Sequence, residues 1–580
     1  MKKISKNFQR KISLILLVIL LQINLTNLLE AQVKTQKTLS PIEKVDDLLS
    51  KYDTKNAPGV AVSVVQNGKI IYKKGFGIAN LEYNIPIMPN SVFSVASISK
   101  QFTVFCILLL EKEGKLSLDD DIRKFLPEIT DFGQKITLRN LANHTSGLRE
   151  QTDLNMLAGA RMDDVITNEQ AYKIIKKQKE SNFIAGTEYE YSNSDYLLLG
   201  KIVEKISGKT LAEFASERIF TPLKMNNTFF LDNHEKIIPN RVYSYTPVDE
   251  KTYKKNMLNH SIIGSTGLCT TIEDLSFWAL NFENIIIGDT NIFNKMQQKS
   301  SLNNGEKISY ALGQEIKTYK GLEVIFHGGG DAGFRSYLLR VPKHQFSIII
   351  MANFEGFNPL EIAYKIVDFF LENQQIKENK QNNTKKIVIK EERLKSYEGN
   401  FEILPGIIFN IHRDTKNSQK LYLQTLGDTQ KSELFAISEN EFVIGDGNDK
   451  ISFHKTGEIS KQKIDLLKFQ YYDFEYKGKR ILIVPFDKEK AQSEHLLSAF
   501  AGKYYSSELA TEYVFTIKNG VLVATHIRNE DIKMNIFQPN IFLTNEWFFR
   551  KVEFLRDKNS NIIGCKISGV RATIKFKKIE

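Results

Sequence analysis

Cysteine is nearly absent from this 580-residue chain: Cys106, Cys269 and Cys565 are far apart and in apolar company. An odd, scattered set excludes a disulfide framework and a thiolate metal cluster, and reads as buried small hydrophobes. Histidine is also scarce, nine residues with no His-Glu-x-x-His pattern, so neither a metal site nor a cofactor is expected. Missing too is any stripe of basic and aromatic residues. Lys and Glu are interspersed, which points to a solvated surface and excludes a nucleic-acid partner. The apolar run Ile12–Ile23 is too short to cross a bilayer comfortably. It follows Lys2, Lys3, Lys6, Arg10 and Lys11 and precedes the small residue Ala31. That pattern predicts a secretory signal over residues 1–31 and an exported, periplasmic or secreted protein. The alternative is membrane association through an uncleaved N-terminus. With no Cys near the cleavage region, a lipid anchor is disfavoured. Removing five basic residues and one acidic residue with the signal brings the formal charge from +11 to +7.

What is present is enough apolar material for real cores, 42% hydrophobic and 11% aromatic, in a chain long enough for two to four domains. A first globular region spans about 38–375. It opens with a predicted hairpin, Val60–Val65 and Lys69–Tyr72 around Asn67-Gly68. Helical patterns fill its middle. Strand patterns return at Leu322–Phe326, Tyr337–Val341 and Phe346–Met351, and Phe357–Leu371 reads as a closing helix. Strands at both ends with helices between predict an α+β fold: an antiparallel sheet completed by both ends of the region, with an inserted helical lobe. Residues 376–393 are polar and read as a linker. Beyond it the chain repeats itself: Leu394–Phe401 matches Leu497–Tyr504 in pattern, Asn440–Val443 parallels Asn540–Leu543, and Ile451–Phe453 parallels Val552–Phe554. Two small β modules follow, over 394–490 and 495–580, most simply barrels.

Three strings carry chemistry. Ser97-Ile98-Ser99-Lys100 precedes the apolar set Phe102, Phe105, Cys106, Leu109 and Leu110, which Gly114 ends; Ser97 is expected in the first turn of a buried helix, where free N–H groups favour developing negative charge. Lys100 projects from the same face, within reach of the Ser97 hydroxyl. Other Ser-x-x-Lys matches, Ser452–Lys455 and Ser460–Lys463, and the string Lys455-Thr456-Gly457, lie in a β module out of order and are read as accidents. In Tyr191-Ser192-Asn193, a Tyr whose proton is drawn off by Lys cations can serve as base and acid, and the Asn193 amide can accept from Lys100 and donate to a substrate carbonyl. In His327-Gly328-Gly329-Gly330, bare backbone lets a substrate pair along the strand, and the Gly330 N–H with that of Ser97 can form an oxyanion hole.

Read in order, these strings resemble the serine β-lactamase and penicillin-binding hydrolase family, of the class C, esterase and D-aminopeptidase kind. Leu141–Leu148, Ile219–Met225 and Gly264–Leu268 with Asp274 are similar to further segments of that family. The resemblance covers about residues 40–370. More weakly, the C-terminal modules look like the lipocalin-like barrels of the D-aminopeptidase branch. The resemblance implies Ser97 as nucleophile, Lys100 and Tyr191 as proton carriers, and Asn193, His327, Gly329 and Gly330 as substrate-binding positions, with His144 structural. The implied partner is a small-molecule or peptide substrate, of the kind a cell wall supplies: an ester, a D-amino-acid peptide or a β-lactam. His327 stands where β-lactamases carry the Lys of Lys-Thr-Gly, and a neutral His weakens carboxylate recognition. Efficient β-lactam hydrolysis is therefore not expected. Alternatives are a true β-lactamase or D,D-carboxypeptidase, a penicillin-binding sensor without turnover, and β modules that bind cell-wall material or gate the site.

Overall fold

The computed structural model describes residues 39–579 apart from 258, 375–385, 416, 446, 448, 457–463, 472–473 and 488–493. The expected signal and most of the expected linker lie outside the described residues.

Six antiparallel strands form the main sheet: β1 (Val60–Gln66), β2 (Lys69–Phe76), β3 (Glu315–Tyr319), β4 (Leu322–Asp331), β5 (Phe334–Val341) and β6 (Phe346–Ala352), in the order β3-β4-β5-β6-β1-β2. β1 pairs with β6 from Val60↔Ala352 to Gln66↔Phe346, so the first and last strands of the region are neighbours, as the α+β reading required. Asn67 and Gly68 turn the β1–β2 hairpin with φ of 50° and 75°, the left-handed conformations that a tight two-residue turn demands. Along β1, Val60, Val62 and Val64 face one apolar core and Ala61 faces the other. Both faces are covered, which is why the strand reads as a nearly continuous apolar run, broken only at Ser63, whose hydroxyl meets that of Ser276 (2.8 Å), before it ends at Gln66.

Helices α1 (Pro41–Ser50) and α5 (Pro359–Leu371) pack on one face through Val45, Leu49, Ile362 and Ile366. Against the other face lie α2 (Ser99–Lys112), α3 (Asn193–Ser207) and α4 (Ile272–Asn281). Every residue from Ser91 to Leu110 is buried except Ser97. A helix buried all round has no polar face for an ordinary serine, so the one exception is informative. Two expectations shift. β4 does not stop at Phe326 but runs through His327-Gly328-Gly329-Gly330 to Asp331. The edge strand β3, only five residues long, was not anticipated, because its alternating sequence Glu-Ile-Lys-Thr-Tyr carries little apolar signal.

The C-terminal half forms two closed eight-stranded barrels, the first from Gly399 to Ile481 and the second from Gly502 to Lys578. The sequence repeat has a physical meaning. Each barrel is entered by a short helical turn whose aromatic residue plugs it. Tyr397 packs 5.3 and 4.6 Å from the rings of Phe442 and Phe453; Phe500 packs 5.1 and 4.6 Å from Phe542 and Phe554. The barrels differ in how they are attached. The first keeps a core of its own. The second shares one continuous core with the sheet-and-helix region, Tyr513, Phe549 and Phe576 joining Leu154 and Leu157. Ion pairs Arg149–Glu508 (2.9 Å), Asp164–Arg528 (2.8 Å) and Glu180–Lys575 (2.5 Å) surround that contact.

Candidate active site

Ser97 does not sit in α2 itself. It occupies the 3₁₀ turn Ala96–Ile98 that leads into it. Ala96, just before it, has φ of 47°, a left-handed conformation that costs a non-glycine residue about 1 kcal/mol or more. Ser99 pins the turn, its hydroxyl donating to the Ala96 carbonyl (2.5 Å) and accepting from Leu268 N–H (3.0 Å). Lys100 is completely buried on the first turn of α2. Its ammonium donates to Ser97 Oγ (3.2 Å), Asn193 Oδ1 (2.7 Å) and the Ser265 carbonyl (2.8 Å), and lies 4.6 Å from the Tyr191 ring centre. The Tyr191 phenol hydrogen-bonds Ser97. Hydroxyl, amine, phenol and amide thus meet although two segments some ninety residues apart supply them.

Burial lowers the Lys100 pKa to about 7, against the opposing pull of Glu150 and with help from Arg571. The same burial raises the Tyr191 phenol well above its ordinary value, its bond to Ser97 opposing only in part. This refines the sequence expectation. In the resting site the phenol keeps its proton, and the neutral form of Lys100 is the base available near neutrality. We expect kcat/KM to fall as pH drops below about 7, where the amine takes up its proton, and to level off above it. Initial rates on an amide substrate from pH 5 to 9 check this; a flat profile would exclude Lys100 as the base.

Asn193 opens α3. Glu150 accepts both its backbone N–H and its side-chain Nδ2 (3.0 Å), leaving Oδ1 turned to Lys100. Desolvation works against the Glu150 charge, yet Arg571 and the Asn193 N–H outweigh it and its pKa is lowered. An anion at the N-terminus of a helix is well placed. Gly329 has Val95's carbonyl oxygen 2.2 Å from where a Cβ would stand, so β4 can approach the Ser97 turn only with glycine there. β3 pairs with β4 only as far as Phe326, so His327–Asp331 has a sheet neighbour on one side alone. Gly330 and Ser97 line the same cleft, of about 390 Å³.

His327 is buried, its Nδ1 hydrogen-bonded to the Gly328 carbonyl (2.6 Å) and its Nε2 to Tyr310 (3.0 Å). Burial, with the charge of Lys100, lowers its pKa to about 3, so the ring is neutral and both nitrogens are engaged. His144 is fully buried too, among the rings of Tyr189, Tyr191, Tyr196 and Tyr310, 4.4 Å from that of Tyr191. Its Nδ1 meets Asp195 at 3.0 Å, and desolvation lowers the imidazole and raises the carboxyl, so the pair is neutral. His144 therefore braces the phenol. Ser452, one of the accidental matches, lies on a strand of the first barrel bonded to His454 (2.8 Å); 457–463 lie outside the described residues.

Sequence reasoning missed Glu150 and Arg571. Glu150 stands two residues beyond Leu148 of the His144–Leu148 segment, a signal that was there to use; Arg571 sits in the last turn of the second barrel, where no motif marks it. Among the described residues no cluster of His, Cys, Asp or Glu could hold a metal ion.

A Beta-lactamase family model matches residues 45–369. A D-aminopeptidase of Brucella anthropi is 28% identical over 321 residues, which is 54% of this chain and 59% of that protein, so the match spans little more than half of the relative's length. The octameric penicillin-binding protein homologue from Pyrococcus abyssi shares the fold with a TM-score of 0.52 at 24% identity, over 75% of this chain and 99% of its own. A penicillin binding protein from Bacillus halodurans does so with 0.50 at 20% identity, over 56% and 99%.

Proposed function

We propose, from the premise that this chain belongs to the Beta-lactamase family, that it is an exported serine hydrolase acting through an acyl-Ser97 intermediate on esters and D-amino-acid amides or peptides. The observation that carries the reading is the convergence of Lys100, Tyr191 and Asn193 on Ser97 beside a bare strand edge.

Ser97 Oγ attacks the substrate carbonyl as its proton passes to neutral Lys100. The carbonyl oxygen becomes an oxyanion, held by the Ser97 and Gly330 N–H groups. On collapse the leaving nitrogen or oxygen takes a proton from Tyr191, which is replenished from Lys100. Water then adds to the ester, the same groups accept its proton, and Ser97 is released. Asn193, fixed by Glu150, positions the acyl side. The D-aminopeptidase relatives support amide substrates of D-configured residues. Export rests on the basic and apolar N-terminal stretch alone; among the described residues no helix is long and apolar enough to cross a membrane.

β-Lactams are the poorer substrates in this reading, because neutral, fully bonded His327 offers no cation to their carboxylate. The test is a panel of an activated ester, a D-alanine p-nitroanilide and nitrocefin on purified protein. We expect nitrocefin to be turned over at least about a hundredfold more slowly than the ester, the loss of a charge-assisted contact and of positioning together. Nitrocefin rates equal to the ester's would make it a β-lactamase. Covalent labelling without turnover of any of the three would make it a sensor.

A further inference from the structure

The cleft beside Ser97 is not built by one domain. Arg571 and Trp547, both on turns of the second barrel, form part of its wall. The Arg571 turn joins strands Ile562–Ser568 and Thr573–Lys578 and is closed by Gly569 N–H to the Ala572 carbonyl (2.9 Å). Its tip is bolted to the region that carries the nucleophile. Arg571 N–H donates to Asp153 Oδ2 (2.7 Å), and the Arg571 carbonyl accepts from Asn182 Nδ2 (2.9 Å) and from Glu150 N–H (3.3 Å). Such a tip is a fixed part of the site rather than a mobile arm.

Its guanidinium is held much more sparingly. Nη1 donates to the Tyr191 carbonyl (2.9 Å), and that is its one side-chain hydrogen bond to the described residues. Nε is buried without a partner. Against desolvation, the charges of Glu150, Asp153 and Glu190 hold its pKa up, but none of these carboxylates takes a hydrogen bond from its side chain. Glu150 holds Asn193 and Thr152, Asp153 Oδ2 holds the Arg571 backbone while its Oδ1 is buried without a partner, and Glu190 holds Asn182. The carboxylates that line the cleft are likewise partnered. Asp331 meets His260 (3.0 Å) and Thr266 (2.9 Å), and Asp164 meets Arg528 (2.8 Å). Arg335, the other arginine on the wall, donates to the carbonyls of Ala332 and Phe334. An arginine kept for packing or folding saturates its fork, since unmet buried donors are costly. Here the unmet donors on Nη1 and Nη2, unlike the sealed Nε, are left for an acceptor that enters the cleft.

We propose that Arg571 is a specificity-determining residue that receives an anionic group, a carboxylate, on the acyl side of the substrate. The inference rests on the acyl-Ser97 reading, in which the neighbouring Asn193 positions that side. Carboxylate is the acceptor whose two oxygens match a guanidinium fork. The substrate class narrows accordingly, to amides or esters whose acyl part is acidic, and away from those presenting a free ammonium to this wall.

The experiment compares D-alanine p-nitroanilides carrying an N-succinyl, an N-acetyl or a free amino group, on the full-length wild type, Arg571→Gln and Arg571→Lys. A fluorophosphonate probe reports Ser97 in each, with Ser97→Ala as control. We expect the wild type to favour succinyl over acetyl by about tenfold or more in kcat/KM, as one charge-assisted bidentate contact allows. In Arg571→Gln the ratio should fall to within about twofold of unity, and Arg571→Lys should restore part of it. The wild-type ratio needs no variant, so a poorly folding Arg571→Gln leaves the test intact. Labelled wild type with equal rates, with a preference for the free amine, or with no turnover of the succinyl substrate overturns this inference alone, as does a preference that survives in Arg571→Gln. Absence of probe labelling overturns the serine-hydrolase reading and this one with it.

Discussion

Ser97→Ala should lower kcat/KM by about three decades or more on whichever ester or amide the wild type turns over. The loss is large because no other hydroxyl can replace it. Ser99, two residues on, has both hydrogen-bonding directions committed to Ala96 and Leu268 inside the protein. It is not zero activity, because the oxyanion donors and the cleft survive, and these alone retain some rate over water. Stability should change little: Ser97 is the one partly exposed residue of an otherwise buried run, and substitutions away from the core usually stay within about 0.5 kcal/mol. Initial rates, thermal melts and fluorophosphonate labelling on the same preparations separate the two effects. A variant as active as the wild type would remove the basis of the functional reading.

Lys100 should matter as much, for a different reason. Lys100→Met keeps the volume of a straight chain in a full core but removes the amine, and we expect about three decades lost in kcat/KM. Lys100→Arg should be no better, since a guanidinium keeps its proton and cannot act as the base. If Lys100→Arg retained wild-type rates, a fixed positive charge rather than a base would be what Ser97 needs. A stability signature should accompany this. The folded pKa of about 7 lies below the ordinary lysine value of 10.5, so between these limits the unfolded chain binds the extra proton and wild-type stability rises with pH. The contribution is most unfavourable below pH 7 and has relaxed by the upper limit. Lys100→Met lacks it, so the variant's melting temperature relative to the wild type should be highest near pH 7 and decline toward pH 10.

How far the sequence could be read followed from how local each signal was. The β1–β2 hairpin was legible because Asn67-Gly68 fixes its turn chemistry within two residues. The three motif strings were legible as an ordered set, and the contacts of Lys100 with Ser97 and Asn193 now join two of them directly. The aromatic plugs of the barrels, Tyr397 and Phe500, were visible as a repeat before their packing was known. Three features were not legible. Glycines carry no apolar pattern, so β4 appeared to end where it in fact continues through Gly328–Gly330. Polar β3 gave no strand signal. Arg571 reaches the cleft only because two distant segments fold onto each other, a relation with no trace in local spacing.

The order in which the chain is made gives that contact a temporal meaning. A ribosome reads out Ser97 a full 474 positions before Arg571. Until the final hairpin of the second barrel has closed, Glu150 and Asp153 lack their cation and the cleft lacks a wall. Ser97 is therefore translated well before the cleft beside it can be completed.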